Sequence, residues 1–300
     1  MKKTFQKTLI AAAAGVALMS AAGTASANSL LFPYFTTTGT AVSVVSLSLT
    51  STVSESLHYV YNYGPTCIHY DASGSMTPND ILSHSVLATT FGTAGGKVVP
   101  TDASKGVNFP LAGTTGFLVV STKTSSTTGL RGSMAIIDPV GNVAISYPGV
   151  DNALDTSGVS EGDFSAIVDK NFGLSFLPPG VVSTSWFGVA VGNMNTAITT
   201  GANWTGTATF TNNGNIFDND EVAYSGTQTK AITCQGTIVP TDLGTTAQNA
   251  AVGVNGGYVR ATAVFGGSAT GAILLKTQAI SSGVAAYGGR SLTHREATAF

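Results

Sequence analysis

The stretch WTGTATFT at residues 204–211 decides the fold, because Thr fills every second position of it. Successive side chains of a strand point to opposite faces, so Trp204, Ala208 and Phe210 share one face and the Thr residues share the other. Thr is β-branched and suits a pleated, half-exposed surface. The stretch therefore predicts an antiparallel strand with one buried and one exposed face.

The same period of two recurs along most of the chain. Residues 57–63 read LHYVYNY, which puts Leu57 and the three Tyr residues on one face and His58 on the other. Residues 42–49 alternate with one slip at Val44 and Val45, which predicts a β-bulge. Further strands are predicted at 116–122, 133–137, 142–147, 164–169, 172–177, 181–191, 221–225, 229–234, 258–265 and 271–279.

Turn residues separate these strands, and helical signals are few. The sequences DPVGN at 138–142 and NNGN at 212–215 predict hairpin connections, because Asn and Gly accept a positive φ. One helical turn is predicted at 77–82, with Pro at its first position, and a short helix at 243–252. The chain is therefore predicted to be all-β, an antiparallel β-sandwich of Greek-key or jelly-roll type with few or no helices.

The first 27 residues have the three parts of a secretory signal peptide. Lys2, Lys3 and Lys7 form a basic start, residues 8–19 are apolar, and small residues lead to the sequence ASA at 25–27. The apolar run is shorter than the ~20 residues that span a bilayer as a helix, which disfavours a membrane anchor. We predict cleavage between Ala27 and Asn28, a location in the periplasm, at the cell surface or outside the cell, and no transmembrane helix.

Charge and composition narrow the classes of partner. Loss of Lys2, Lys3 and Lys7 from 13 Lys and Arg leaves ten basic residues, scattered singly, against 15 acidic ones. Nucleic-acid binding needs clustered basic residues, so we expect none. Charged residues make up 9% of the chain, against about 25% in ordinary soluble domains. A neutral surface of hydroxyls does little to keep copies apart, which favours a structural or self-associating protein.

The domain organisation depends on the two cysteines. Residues 28–289 are predicted to form a single large β-sandwich domain, and residues 290–300 a mobile tail. The alternative is two β domains that divide near 148–163. Cys67 and Cys234 predict a disulfide, since paired cysteines in exported proteins are usually oxidised, with two free thiols as the alternative. A bridge between the two halves of the chain favours the single domain.

The search for chemical motifs predicts no catalytic and no cofactor-binding residue, so we do not expect an enzyme. The motifs GxSxG, SxxK and HExxH are absent, and a triad assembled in space from distant residues stays open as an alternative. Asp218, Asp220 and Glu221 form a weak calcium candidate, because calcium prefers oxygen ligands. An ordinary turn explains the same residues.

Two further patterns have a functional and a structural interpretation. Cys67, His69 and Asp71 alternate and could present metal ligands, but a disulfide followed by a strand is the preferred interpretation. Tyr59, Tyr61 and the third Tyr of the same row could stack against a carbohydrate. We prefer the buried face of a strand.

The predicted mature N-terminus is apolar and extended. Its Pro33 restricts the segment to an edge or bulge position. The strand could insert into a neighbouring copy, but completion of its own sheet is the preferred interpretation. Residues 30–36, LLFPYFT, followed by a Val/Ser strand and a Leu-His-Tyr strand, resemble the start of a group of uncharacterised bacterial secreted proteins that open with LLFP[YF]xT. The resemblance implies export and a β-rich fold, and it transfers no activity or site.

These features predict an exported structural or cell-surface protein that associates through sheet edges or its N-terminal strand. The alternative is a monomeric binding module in the periplasm or outside the cell, for a glycan, calcium or a protein partner. An outer-membrane β-barrel or a secreted hydrolase is less favoured.

Overall fold

The computed structural model describes residues 28–86, 111–123, 129–138, 143–152, 161–253, 255–280 and 292–293. Antiparallel strands dominate these residues and two short α-helices accompany them, which confirms the predicted all-β sandwich class. The predicted signal peptide lies outside the described residues, as does most of the predicted tail. In the described part of the chain no helix is long and apolar enough to cross a membrane.

The chain divides into two compact units. The first holds the described residues up to Phe164 together with Met194–Trp204, and the second holds Ser165–Asn193 and the described residues from Thr205 onward. Such units do not say how many domains unfold separately. The single domain at 28–289, and its alternative with a boundary near 148–163, therefore stay predictions.

The first unit contains two antiparallel sheets and one helix. Its elements are β1 (Ser29–Thr36), β2 (Val42–Leu49), β3 (Glu55–Tyr63), β4 (Ile68–Met76), β5 (Ile81–Ser85), β6 (Thr115–Thr122), β7 (Leu130–Asp138), β8 (Val143–Pro148), β9 (Val150–Asp151) and α1 (Asn195–Thr200). One sheet has the order β4-β3-β6-β1-β9 and the other β5-β2-β7-β8. Phe32 of β1 lies against Gly132 of β7, and the rings of Tyr59 and His84 meet at 5.4 Å, so the two sheets share a packed interface.

The second unit is built on one large antiparallel sheet. Its elements are β10 (Asn171–Phe176), β11 (Val182–Gly192), β12 (Thr207–Asp218), β13 (Ala223–Ser225), β14 (Thr229–Thr233), β15 (Gln235–Ile238), α2 (Thr246–Val252), β16 (Gly257–Gly266), β17 (Ala269–Ile280) and β18 (Leu292–Thr293). The order is β10-β16-β12-β14-β15-β11-β17-β18, and β13 pairs with β12. Phe172, Trp186, Phe210 and Leu274 belong to one buried apolar cluster. The helix α2 confirms the one predicted at 243–252.

The alternation that predicted the fold is present in both units. In β12, Ala208 and Phe210 are fully buried, whereas Thr209 and Thr211 are partly exposed. In β3, Tyr59 and Tyr61 are fully buried, which confirms the core interpretation of the tyrosine row. Burial therefore follows every second side chain in β12, whereas β3 is covered on both faces, since Val60 and Asn62 are buried as well.

Cys67 and Cys234 form the predicted disulfide. Disulfides form and persist in oxidising compartments. The bond is therefore compatible with a secreted or extracellular protein.

The N-terminal strand β1 is an inner strand of its own sheet, which confirms the preferred interpretation. It pairs with β6 on both sides of a register shift between Phe32 and Phe35, where Pro33 lies, but with β9 only through Leu30 and Leu31. Beyond β9 the main chain of β1 bonds to two side-chain hydroxyls. Tyr147 bonds both the N–H and the carbonyl of Tyr34, and Ser43 bonds both groups of Thr36.

Several local predictions are wrong. β2 pairs with β7 without a register break from Val42 to Leu49, so there is no bulge at Val44 and Val45. Both valines are buried, and a strand covered on both faces loses the polar half of its alternation. At 77–82 the Asp80 carboxylate accepts from the main chain and hydroxyl of Thr77 and closes a turn that leads into β5.

Other segments differ at their ends or in type. Residues 164–169 form no strand, and α1 is a helix that the sequence did not predict, because no side chain caps its start. The hairpin at 138–142 has its flanking strands paired through Asp138 and Val143, while the turn itself lies outside the described residues. Leu292 and Thr293, within the predicted tail, pair with β17. The hairpin predicted at 212–215 is also wrong: the segment lies within one strand, β12, and lines a candidate site.

Candidate functional site

A wide bulge interrupts the pairing of β12 with β16. Asn212 pairs with Ala261, and the register resumes at Ile216 with Val259. Three residues of β12, 213–215, therefore face the single residue Arg260. Gly214 takes a φ of 87°, which side chains rarely allow. The segment NNGN that predicted a hairpin thus bends one strand instead of connecting two.

The buried side chain of Asn212 holds this bulge. Its Oδ1 accepts the N–H groups of Gly214 at 3.3 Å and Gln228 at 3.2 Å, and its Nδ2 donates to the carbonyl of Leu243 at 2.8 Å. The N–H of Gly226 donates to the carbonyl of Gly214 at 2.7 Å. The bulge is therefore fixed by hydrogen bonds at its base and at its tip.

The bulge opens a pocket of about 240 Å³ on the sheet. Phe172 and Ala261, both buried in the core, contribute apolar surface to it. The polar and aromatic residues that line it are Asn171, Asn213, Asn215, Phe217 and Arg260. Because these come from three neighbouring strands of one sheet, the scaffold that positions them is rigid.

Two of the three carboxamides of the pocket have oxygens that accept a hydrogen bond from a neighbouring hydroxyl. Thr262 Oγ1 donates to Asn213 Oδ1 at 2.8 Å and lies 3.4 Å from Asn171 Oδ1. Ser225 Oγ donates to Asn215 Oδ1 at 3.2 Å. No described residue accepts a hydrogen bond from the three amide nitrogens. The pocket therefore offers N–H donors to a ligand.

Arg260 adds a positive charge to these donors. It is the one charged side chain among the residues that line the pocket, and its guanidinium carbon lies 6.0 Å from the centre of the Phe217 ring. A cation at that distance from an aromatic face is attracted to it. The contact places the guanidinium over the Phe217 ring.

A second polar cluster lies on the opposite face of β3 from the buried tyrosines, as predicted for His58. His58 Nδ1 lies 2.5 Å from Glu161 Oε2, and its Nε2 lies 3.1 Å from Asp71 Oδ1. A neutral imidazole can donate from only one nitrogen, so donation to both carboxylates requires the cation. The cluster ties β3 to β4 and to the segment that contains Glu161.

His69 joins this cluster through Asp71. Its Nε2 lies 2.6 Å from Asp71 Oδ2, within ion-pair distance, but without the alignment of a hydrogen bond. Cys67, the third member of the predicted metal pattern, is in the disulfide. Among the described residues no group of three or more His, Cys, Asp and Glu side chains is arranged to hold a metal ion.

One of the two serines that pair with His58 across the sheet, Ser121, does not form a triad with it. Ser121 pairs with His58 in the register, but its hydroxyl lies 2.8 Å from that of Ser29. Both ring nitrogens of His58 already face carboxylates. His58 is therefore not placed as a base for Ser121.

The calcium candidate is organised as a turn. Asp218 Oδ1 accepts the N–H groups of Asp220 and Val222, each at 2.9 Å, and Oδ2 accepts the Tyr224 hydroxyl at 3.0 Å. The bond from Val222 is the main cause of a lowered Asp218 pKa. Glu221 takes a positive φ of 63° in the same turn. Calcium binding by Asp218, Asp220 and Glu221 stays a prediction, and turn geometry uses both oxygens of Asp218.

The comparisons with known proteins supply no identity. No family model matches the chain, and no curated protein matches it. The evidence on what kind of protein this is therefore consists of the all-β fold and the disulfide. Sequence reasoning missed the donor pocket, and the available signal was an NNGN segment inside a long alternating stretch.

Proposed function

We propose that the chain is an exported structural or cell-surface protein that associates with copies of itself along the outer edge of β4. The observation that carries the proposal is that β4, which spans nine residues, ends its sheet among the residues that the structure describes. Strand edges that end a sheet pair readily with another chain.

The other strands that end a described sheet are less suited to pairing. β9 and β18 have two residues each and β5 has five, while β8 ends in Pro148. β10 has six residues, fewer than β4. The N-terminal strand is enclosed in its own sheet, so it is the weaker route for association.

The composition of β4 also favours pairing. Asp71 is its only Asp, Glu, Lys or Arg residue, and its carboxylate lies within ion-pair distance of His58 and His69. Natural edges are commonly protected by Lys, Pro or a bulge, and β4 has none of these. Two copies of β4 related by a two-fold axis would pair antiparallel and join two sheets into one.

Sedimentation velocity of residues 28–300 over a range of concentrations tests this proposal. Wild-type protein is expected to shift from monomer to dimer or larger species as the concentration rises. Ser73→Lys, near the centre of exposed β4, should stay monomeric, because the two-fold axis brings two Lys side chains together.

Ser183→Lys is the matched control, since Ser183 is exposed on β11, in the large sheet of the second unit, and does not belong to the sheet that contains β4. It should associate like the wild type. A wild-type protein that stays monomeric at the highest concentration would refute the proposal.

The second candidate is a monomeric binding module outside the cytoplasm. The donor-lined pocket beside the β12 bulge favours it. A glycan bound by such a module could not stack on the tyrosine row, because Tyr59 and Tyr61 are core residues.

A further inference from the structure

We infer that Asn213 is a site of covalent self-modification, at which the main-chain nitrogen of Gly214 displaces ammonia from the Asn213 side chain and leaves an aspartate or isoaspartate on the β12 bulge. This inference is independent of association through β4 and of any ligand of the pocket. The reaction needs no partner other than water.

The modification is a ring closure within the chain. The Gly214 nitrogen loses its proton to solvent and attacks Asn213 Cγ, the bond from Cγ to Nδ2 breaks, and the amide nitrogen takes a proton from water and leaves as ammonia. Water then opens the resulting succinimide at one of its two carbonyl carbons. Attack at Cγ gives aspartate, and attack at the main-chain carbon gives isoaspartate, whose main chain runs through Cγ.

The residue that follows Asn213 favours this attack. Asn is followed by Gly at two places in the sequence, 213–214 and 255–256. Gly has no Cβ to obstruct the approach of its nitrogen to the preceding side chain. Asn213 is exposed, and a Cβ built at Gly214 would meet no atom within 4 Å. Solvent therefore has access to the reacting atoms.

A hydroxyl group points at the oxygen that becomes negative during the attack. Thr262 Oγ1 carries one proton, and the shorter of its two asparagine contacts is to Asn213 Oδ1, at 2.8 Å against 3.4 Å for Asn171 Oδ1. When the Gly214 nitrogen adds to Cγ, charge develops on Oδ1, and a donor that is already in place stabilises that charge. Thr262 therefore accelerates the ring closure.

Asn255 provides an internal comparison, because it has the same neighbour in a different environment. Gly256 is buried, and its N–H donates to the carbonyl of Val252 at 3.0 Å, a shorter bond than the 3.3 Å one of the Gly214 N–H. No hydroxyl of the described residues donates to the Asn255 side chain. The folded chain should therefore react at Asn213 first.

The product changes the bulge in two ways. Each conversion replaces a neutral amide on the pocket wall by a carboxylate. Isoaspartate also inserts an extra carbon atom into the main chain next to Gly214, whose carbonyl accepts the N–H of Gly226 at 2.7 Å. The hydrogen bonds that fix the tip of the bulge should therefore weaken as the protein ages.

The test is storage of residues 28–300 in warm, mildly alkaline buffer, followed by peptide mapping with mass spectrometry and chromatography that separates aspartate from isoaspartate. In folded protein, conversion at Asn213 should be at least about tenfold faster than at Asn255, because one hydrogen bond to a developing charge is worth that factor. In urea, where only the shared dipeptide remains, the two sites should convert at similar rates.

Thr262→Val should slow conversion at Asn213 about tenfold. It should leave the rate at Asn255 unchanged, which also shows that the variant is folded. Thr209→Val is the matched control, because it removes a hydroxyl from the same face of the adjacent strand without a bond to Asn213. Absence of conversion at Asn213, equal rates at the two sites in folded protein, an unchanged rate in Thr262→Val, or equal slowing in Thr209→Val would each overturn the inference.

Discussion

The hydroxyl of Tyr147 holds both main-chain polar groups of Tyr34: it donates to the carbonyl and accepts from the N–H at 3.2 Å. A side chain from β8 thus takes the place of a neighbouring strand along part of β1. Tyr147 is fully buried, and burial raises the pKa of its hydroxyl well above the usual range. The N-terminal strand is closed on this side without a further strand.

Removal of this hydroxyl should destabilise the protein. Tyr147→Phe leaves the N–H and the carbonyl of Tyr34 without their partner, which costs about 1–3 kcal/mol for buried polar groups. Urea unfolding of the mature chain measures the loss. Tyr59→Phe is the matched control, because the Tyr59 hydroxyl is buried and bonds to no described residue. It should be neutral or slightly stabilising, and equal effects of the two variants would contradict this interpretation.

His84 should make the protein less stable in mild acid. Burial lowers the pKa of His84 from 6.5 to about 4, and neither ring nitrogen has a hydrogen-bond partner among the described residues. Between these pH values the unfolded chain binds a proton that the folded chain does not. The free energy of unfolding should therefore fall as the pH drops from 6.5 to 4, by about 3 kcal/mol in total. Above pH 6.5 His84 is neutral in both states, so this loss of stability is absent there.

Urea unfolding of the wild type and of His84→Leu at several pH values measures this effect. The difference in the free energy of unfolding between the two proteins should change by about 3 kcal/mol across that window. A constant difference would show that His84 does not titrate as its burial requires.

The disulfide should contribute strongly to stability, because the loop from Cys67 to Cys234 is long. A closed loop of 100 residues is worth about 4.7 kcal/mol in the chain-entropy account, and measured losses for native disulfides are about 2–5 kcal/mol. Replacement of both cysteines by Ala should lower the free energy of unfolding by an amount in that range. Reductant should bring the wild type to the same stability and leave the variant unchanged. A reductant effect on the variant would show a cause other than the disulfide.

Calcium should not stabilise the turn that contains Asp218. Both oxygens of its carboxylate already accept hydrogen bonds, so a calcium ion would have to displace them. Thermal melting in millimolar calcium and in chelator should give the same midpoint. A ligand that binds only the folded state raises the midpoint, so a rise that Asp218→Asn abolishes would instead establish the calcium site at Asp218, Asp220 and Glu221.

The fold class was predictable from the sequence because burial follows a period of two. In β12, Ala208 and Phe210 lie on the buried face, and the intervening Thr209 lies on the partly exposed face. An alternating pattern does not show whether one face or both faces of a strand are covered. The two adjacent valines of β2, Val44 and Val45, therefore gave a false prediction of a bulge. Pairing partners such as β4 and β3 depend on contacts that no local pattern encodes.

Only part of the candidate pocket was predictable from the sequence. Asn and Gly at 212–215 correctly indicated a positive φ, but the same residues suit a hairpin and a bulge. The choice depends on Asn212, whose amide bonds to Gln228 and Leu243 far along the chain. Arg260 sits in an ordinary alternating strand, and nothing nearby in the sequence marks it as part of a site.

Hydrogen exchange of the mature chain at low and high concentration tests the central claim most directly, namely that β1 is an inner strand and β4 the edge that pairs. We expect the amides of residues 29–36 to be protected at every concentration, and those of residues 68–76 to gain protection only as the concentration rises. Fast exchange throughout residues 29–36, or unchanged exchange at 68–76 in protein that has associated, would contradict the account.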